Sequence, residues 1–113
     1  MKKLALFLHF EAERFLADKA LQVTEVKPWE DFDHKGRILG TTVEVVILED
    51  KTVYETKDGE EVSNRYEKFK IKIPQRSVPV VVGDFVEPIN PVGSIFGDHR
   101  NQLSVKADSI RKV

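Results

Sequence analysis

Residues 68–73, which read Lys-Phe-Lys-Ile-Lys-Ile, alternate strictly between charged and apolar side chains. A period of two residues predicts a β-strand with one buried face, because successive side chains of a strand point to opposite sides of the sheet. The two faces would carry separate sets, with Phe69, Ile71 and Ile73 on the buried face and Lys68, Lys70 and Lys72 on the exposed face. The segment therefore predicts a strand in a sheet that has its core on one side.

The row of lysines has two interpretations. Alternate residues of a strand lie about 7 Å apart, close to the phosphate repeat of a nucleic-acid strand, and Arg76 follows just beyond the row. The lysines could therefore bind a phosphate backbone. Lysine is also a common means of protecting the edge strand of a sheet against aggregation. The sequence leaves both interpretations open.

Charge is distributed unevenly along the chain. The net charge of −1 excludes binding of polyanions by bulk charge alone, so any such binding must be local. Basic residues cluster in residues 66–76 and 100–113, whereas acidic residues cluster in residues 49–61. Because patches rather than totals set the field that steers a ligand, this segregation favours a local anion-binding surface.

Length and cysteine content restrict the class of protein. A chain of 113 residues can bury one core but not two, so we expect one domain over residues 1–113. The absence of cysteine excludes disulfides and thiolate metal sites and fits a reducing compartment. Residues 1–8 resemble the start of a signal peptide, but His9 and Glu11 end the apolar run early. We therefore expect a cytoplasmic protein without membrane contact.

The remaining pattern predicts strands almost throughout. We expect a variable amino-terminal element over residues 1–20, with a short strand and then a helical turn at residues 11–18, followed by a β-barrel over residues 21–113. Turn signals that include glycine separate the strands at residues 33–37, 57–60 and 83–84. Five main strands are expected near residues 21–26, 38–54, 62–73, 85–89 and 103–107. Pro28 is expected to break or bend the first strand, and residues 90–101 to form a loop.

Five short strands in a domain of this size predict an all-β fold, specifically a small five-stranded OB-like barrel, with a short amino-terminal helix. In OB-type barrels the surface around the second and third strands, together with the first and last loops, binds oligonucleotides or oligosaccharides. On this topology three basic groups would converge: Lys68, Lys70 and Lys72 on the third strand, Lys35 and Arg37 beside His34 in the first loop, and Arg100 beside Phe96 and His99 in the last.

Aromatic side chains outside the expected core are candidates for stacking on bases. Trp29 follows Lys27 and Pro28, a combination suited to stacking, although a barrel plug or a cap over one open end of the barrel is an equal alternative. Tyr66 has the parity of the lysines and should face outward with them. Phe96 lies between two glycines in the expected loop, where it could anchor the loop or contact a ligand.

The sequence gives little support for an enzyme. The histidines His9, His34 and His99 are scattered and match no metal-binding or nucleophile motif. The acidic residues near Glu49 and Asp50 lack the spacing of a calcium loop and are better explained as a solvated hairpin tip. We therefore expect no catalytic residues, no cofactor and no metal.

Two short elements in the carboxy-terminal half carry a family resemblance. Residues 88–92 read Pro-Ile-Asn-Pro-Val and residues 105–110 read Val-Lys-Ala-Asp-Ser-Ile. Together with the long hairpin before them, these elements resemble the small YdcP-like proteins of Gram-positive integrative and conjugative elements, long classified as a domain of unknown function. Members of that family are associated with replication of the element and with helping a helicase to unwind long DNA. The resemblance implies a DNA-processing accessory role, and it supplies no catalytic or binding residues.

Two functions from different classes fit these observations. The first is a non-catalytic module that binds single-stranded DNA and supports a helicase or a relaxosome protein. The second is a protein-interaction module or oligomerising scaffold, in which the mixed-charge hairpin and the Val46 and Leu48 side chains contact a partner or form a homodimer. The sequence does not discriminate between single-stranded DNA, duplex DNA and RNA.

Overall fold

Strands dominate the chain, as the alternation predicted. The computed structural model describes residues 12–50, 64–96 and 102–113, apart from the side chains of Glu13, Arg14 and Phe96. One short helix precedes seven strands in these residues: α1 Ala12–Leu16, β1 Lys19–Glu30, β2 Ile38–Asp50, β3 Lys68–Ile73, β4 Phe85–Ile89, β5 Val92–Phe96, β6 Gln102–Lys106 and β7 Ser109–Lys112. The prediction of a mainly β fold is confirmed. The helix falls within the predicted helical turn, whereas the strand expected before it lies outside the described residues.

The seven strands form one curled, barrel-like sheet in the order β5-β6-β3-β2-β1-β4-β7. The strands β1, β2 and β3 pair with one another as an antiparallel meander. On the far side of β3 lies β6, which runs parallel to it, and on the far side of β1 lies β4, which runs antiparallel. The remaining strands β5 and β7 pair antiparallel with β6 and β4 respectively.

The strand count of seven exceeds the expected five because two chain runs each contribute two strands. The expected loop at residues 90–101 is wrong over residues 92–96, which form β5 and pair with β6. The polar tail likewise forms β7. Both runs bend at short interruptions, one at residues 90–91 and the other at residues 107–108. The glycine, proline and serine residues of these runs predicted loops and turns. Whether a segment forms a strand also depends on the neighbouring strand with which it makes hydrogen bonds.

A single apolar core lies against the inner face of the sheet. The alternating aliphatic residues Val43, Val45 and Ile47 of β2 supply its centre, with at most 2% exposure. The helix adds Ala12 and Leu16, both buried. The other buried members come from the remaining strands except β5 and, for Val80 and Ala107, from the segments between strands: Leu21, Val23, Phe69, Ile71, Ile73, Val80, Val86, Val105, Ala107 and Ile110.

The first strand continues through Pro28, contrary to the expectation that it breaks or bends there. Pro28 pairs with Thr41 of β2, and β1 extends to Glu30. On the other side β4 pairs with β1 only at Leu21 and Gln22. Among the described residues one edge of β1 is therefore unpaired at Pro28, and a proline without an amide hydrogen is tolerated at such an edge.

Two predicted turns are confirmed. Gly36 and Gly83 have φ angles of 89° and 97°, a left-handed conformation that glycine adopts without steric cost. The turn between β1 and β2 is closed by hydrogen bonds between Asp31 and Arg37 and between Arg37 and His34. The hairpin predicted at residues 57–60 lies outside the described residues.

Candidate nucleic-acid interface

The lysines of β3 point away from the core, on what we call the outer face of the sheet. The apolar side chains of the strand are buried, whereas Lys68 and Lys70 are exposed and Lys72 is half-buried. The alternation read from the sequence is therefore confirmed along the whole strand.

Strand β3 is not an edge strand. It pairs with β2 on one side and with β6 on the other. Lysine protects a sheet edge by opposing the approach of another strand, and an interior strand has no free edge to protect. The interpretation of these lysines as edge protection is therefore wrong.

Lys72 lies directly beside another lysine. The register of β3 and β6 pairs Lys72 with Lys106, and the register of β3 and β2 pairs Lys72 with Thr42. Thr42 is in turn paired with Lys27 of β1. Like charges on neighbouring strands destabilise a sheet. We call Lys106, Lys72 and Lys27 the lysine row; its adjacent pair, Lys72 and Lys106, carries a local electrostatic cost that a bound anion would offset.

Carboxylates partly neutralise the other end of the outer face. Glu44 pairs with Lys70 in the register of β2 and β3, and its Oε1 lies 4.0 Å from Nζ of Lys68. The same oxygen accepts a hydrogen bond of 2.9 Å from Oγ1 of Thr24. Glu25 lies 3.3 Å from Nζ of Lys27. The excess of positive charge on this face consequently lies toward Lys72 and Lys106.

Trp29 lies beside the two adjacent lysines. The Nζ atoms of Lys72 and Lys106 are 5.5 Å and 5.9 Å from the centroid of its ring. Cations within about 6 Å of an indole face are attracted by its quadrupole, which orients both ammonium groups around the ring. Trp29 is half-buried and is not a member of the core cluster. The ring therefore does not plug the core, and it lies partly exposed on the lysine side.

One open cavity begins at Trp29 and extends to the two bends of the sheet; we call it the Trp29 cleft. Its walls are Trp29, Lys72, Pro74, Asn90, Val92, Lys106, Ala107 and Asp108, and its volume is about 240 Å³. The aromatic ring and the aliphatic residues make it largely apolar, and the two lysines supply positive charge. Asn90 and Asp108 are its polar end.

A second open cavity links Trp29 to the first loop. Lys35 lines it together with Trp29 and Lys72, so one of the first-loop cations shares a cavity with one lysine of β3. Phe32 also lines it and is 97% exposed. The sequence reading missed Phe32 as a candidate, although its position in the turn between two predicted strands was an available signal.

Two of the predicted basic residues, Arg37 and Arg76, lie outside the two cavities at Trp29. Arg37 lies in the first loop with its guanidinium 3.8 Å from Asp31, so part of its charge is engaged within the loop. Arg76 is exposed in the segment that follows β3. Neither residue lines the cavities at Trp29.

Tyr66 does not follow the parity of the strand. It precedes β3 and has a φ angle of 73°, so the alternation that relates Lys68, Lys70 and Lys72 does not extend to it. Its side chain is 65% exposed, and the guanidinium carbon of Arg65 lies 5.0 Å from its ring centroid. Because Tyr66 lies before the start of β3 and Trp29 lies beside its end, one nucleotide could not contact both.

The last loop is only partly described. The backbone of Phe96 ends β5, where it pairs with Gln102, but its side chain lies outside the described part of the chain. His99 and Arg100 lie outside it as well. His34 is exposed in the first loop.

Within residues 12–50, 64–96 and 102–113 no group of three or more His, Asp or Glu residues could hold a metal ion. Asp50 is not solvated, contrary to the expectation of a hairpin tip, because its buried carboxylate lies 3.1 Å from Nζ of Lys19. No helix in the described part of the chain has the length and apolarity needed to cross a membrane.

Comparison with known proteins gives no family assignment. No protein-family model, no curated protein and no solved structure matches the chain.

Proposed function

We propose that this chain is a non-catalytic accessory protein that binds single-stranded DNA on the outer face of its sheet. The observation that carries the proposal is the pair of adjacent lysines, Lys72 and Lys106, beside the accessible ring of Trp29. Binding of single strands through backbone and stacking contacts requires a cationic track for phosphates and aromatic rings for bases. Both requirements meet at this place.

The charge arrangement supports binding of an anion in particular. An ordinary surface avoids like charges on paired positions, because each such pair costs a few tenths of a kcal/mol up to about 1 kcal/mol. A phosphate between Lys72 and Lys106 would turn this repulsion into two charge-assisted contacts. A base stacked on Trp29 would contribute about 1–3 kcal/mol in addition.

The strand order supports an OB-like barrel as the scaffold. If β4 with β5 and β6 with β7 are counted as two bent strands, five remain, with the fifth parallel to the third and the fourth paired with the first. We propose that this connectivity corresponds to the OB fold, in which the surface of the second and third strands binds oligonucleotides. Lys72 lies on the third of these strands, and the other residues of the Trp29 cleft and of the lysine row come from the neighbouring strands and bends.

The resemblance to YdcP-like proteins supports the biological setting. We propose that the chain acts in the cytoplasm on the DNA of a conjugative element, in support of a helicase or another replication or relaxosome protein. The two elements that carry the resemblance contact each other in space, because the amide of Asp108 donates to the carbonyl oxygen of Ile89 over 3.0 Å.

Fluorescence anisotropy of a labelled thirty-base strand tests the proposal. We expect binding that weakens steeply between about 50 mM and about 200 mM salt, because binding of phosphates releases counterions. No binding at the lower salt concentration would refute the proposal. A parallel titration with duplex DNA and RNA of the same length determines which nucleic acid is preferred.

A protein-interaction role is the second candidate. Val46 and Leu48, the residues first considered for it, are half-buried. A more exposed apolar group lies around the start of β4 and the end of the chain, where the amide of Val113 donates to the carbonyl oxygen of Phe85 over 2.8 Å. This group is Val81, Val82, Phe85 and Val113. Sedimentation of the wild type and of a Val82→Asp variant tests this role, which predicts a complex or homodimer that the variant loses.

A further inference from the structure

The polar end of the Trp29 cleft is held in a fixed arrangement. Asn90 has a φ angle of 52°, the left-handed conformation that asparagine adopts more readily than most residues. Its Nδ2 donates a hydrogen bond of 3.0 Å to Oδ2 of Asp108. The backbone amide of Asp108 is itself bonded to Ile89. The Asp108 carboxylate is therefore oriented by its backbone and by its neighbour.

This carboxylate is chemically unusual for a surface that binds a phosphate backbone. A negative group beside Lys72 and Lys106 opposes phosphate binding, yet it lines the same cleft. Its oxygens can accept hydrogen bonds from N–H groups, whereas they repel the carbonyl oxygens of a base. Facing an apolar cleft with an aromatic wall, the group is suited to the edge of a stacked base.

We propose that the Trp29 cleft binds one nucleobase and that Asp108 selects guanine over thymine there. This inference rests on the proposed function. Guanine presents two adjacent donors, N1–H and the 2-amino group, which a carboxylate accepts together. Thymine presents a single N–H between two carbonyl oxygens, and both oxygens would be repelled. Asn90 is a positioning residue, because it binds one carboxylate oxygen and fixes the orientation of the other.

The same contacts could serve only to hold the bends of the sheet together. An Asp108→Asn variant separates the two roles, because its side-chain oxygen can still accept the hydrogen bond from Asn90. The substitution replaces the other carboxylate oxygen with an amide donor. A role in holding the bends predicts unchanged base preference, whereas base recognition predicts that the preference for guanine is lost.

Competition by unlabelled strands against a labelled thirty-base thymidine strand tests the proposal. The competitors are the thymidine strand and versions of it with isolated guanines or with hypoxanthine at the same positions. We expect the guanine strand to bind about tenfold more tightly than the thymidine strand, the order expected for a bidentate base contact. Hypoxanthine keeps the purine ring and N1–H but lacks the 2-amino group, so it should lose most of this gain.

Asp108→Asn should abolish the preference without weakening the thymidine strand. Glu87→Gln removes one exposed negative charge from β4, outside the Trp29 cleft, and serves as the matched control that should keep the preference. Equal binding of the guanine and thymidine strands by the wild type would overturn the inference alone. A preference that survives Asp108→Asn in folded protein would overturn the role of Asp108. Absence of binding by any strand would overturn the proposed function as well. The hypoxanthine comparison uses the wild type, so it tests recognition of the 2-amino group even if the variant does not fold.

Discussion

Replacing Lys72 and Lys106 together with methionine should weaken DNA binding while leaving the fold as stable as before. Methionine keeps an unbranched apolar side chain and removes the charge. Two unit charges at the spacing of neighbouring strands, about 5 Å, repel each other in water by about 0.8 kcal/mol, and the variant is relieved of at most this cost. It also loses two cation–π contacts, worth about 0.5 kcal/mol each at an exposed site. These terms nearly cancel, so the free energy of unfolding should change by less than about 0.5 kcal/mol.

The effect on binding is larger and depends on salt. Each phosphate contact to a single strand contributes about 0.7 to the slope of log affinity against log salt concentration, so the double variant should lower the slope by about 1.4. With equal affinities of wild type and variant at 1 M salt as the reference, this slope change corresponds to a loss of about sixtyfold at 50 mM salt and about tenfold at 200 mM salt. Urea unfolding and anisotropy titrations at several salt concentrations measure the two quantities.

The control removes two charges elsewhere. Arg111 and Lys112 of β7 are exposed and paired with Glu87 and Asp84, away from the Trp29 cleft. Replacing both with methionine changes the net charge equally and should leave the salt slope within about 0.3 of the wild type. The reasoning is refuted if the control lowers the slope as much as the double variant, or if the double variant keeps the wild-type slope.

Three further predictions address the stacking residue, the strand lysines and the close backbone contact of Gly40. Trp29→Ala should weaken single-strand binding by about 1–3 kcal/mol with an unchanged salt slope, because stacking rather than charge is lost; a changed slope in anisotropy titrations would contradict this. Replacing Lys68, Lys70 and Lys72 with glutamate should abolish binding and leave the sedimentation coefficient unchanged, so retained DNA affinity would contradict the proposed interface. Gly40→Ala should lower the free energy of unfolding by about 3 kcal/mol, because the added Cβ would overlap backbone atoms at the end of β3. Urea titrations measure this loss, and a loss below about 1 kcal/mol would show that the backbone can shift.

Local alternation allowed much of the strand content to be predicted. The faces of β3 followed directly from its period of two. The glycines of two turns were also identified, because a left-handed φ angle is a local property. These features depend on residues close together in sequence, so the sequence alone is sufficient to predict them.

The features that the sequence did not reveal depend on partners distant in the chain. The interior position of β3 results from its parallel pairing with β6, so edge protection could not be dismissed beforehand. Lys106 was recognised as part of a basic segment but not as a neighbour of Lys72, because a register is not visible in either strand. The bonded pair Asn90 and Asp108 likewise joins two segments that are separate in sequence. Tyr66 is exposed, as expected, but its left-handed conformation interrupts the alternation from which that expectation was drawn.

Intrinsic fluorescence tests the central claim most directly, because Trp29 is the only tryptophan of the chain. Titration with an unlabelled thirty-base thymidine strand at about 50 mM salt should quench the emission in a saturable manner, since stacked bases contact the ring. Added salt should restore the emission as the complex dissociates. Unchanged emission under conditions in which anisotropy detects binding would place the DNA elsewhere on the protein and contradict the account.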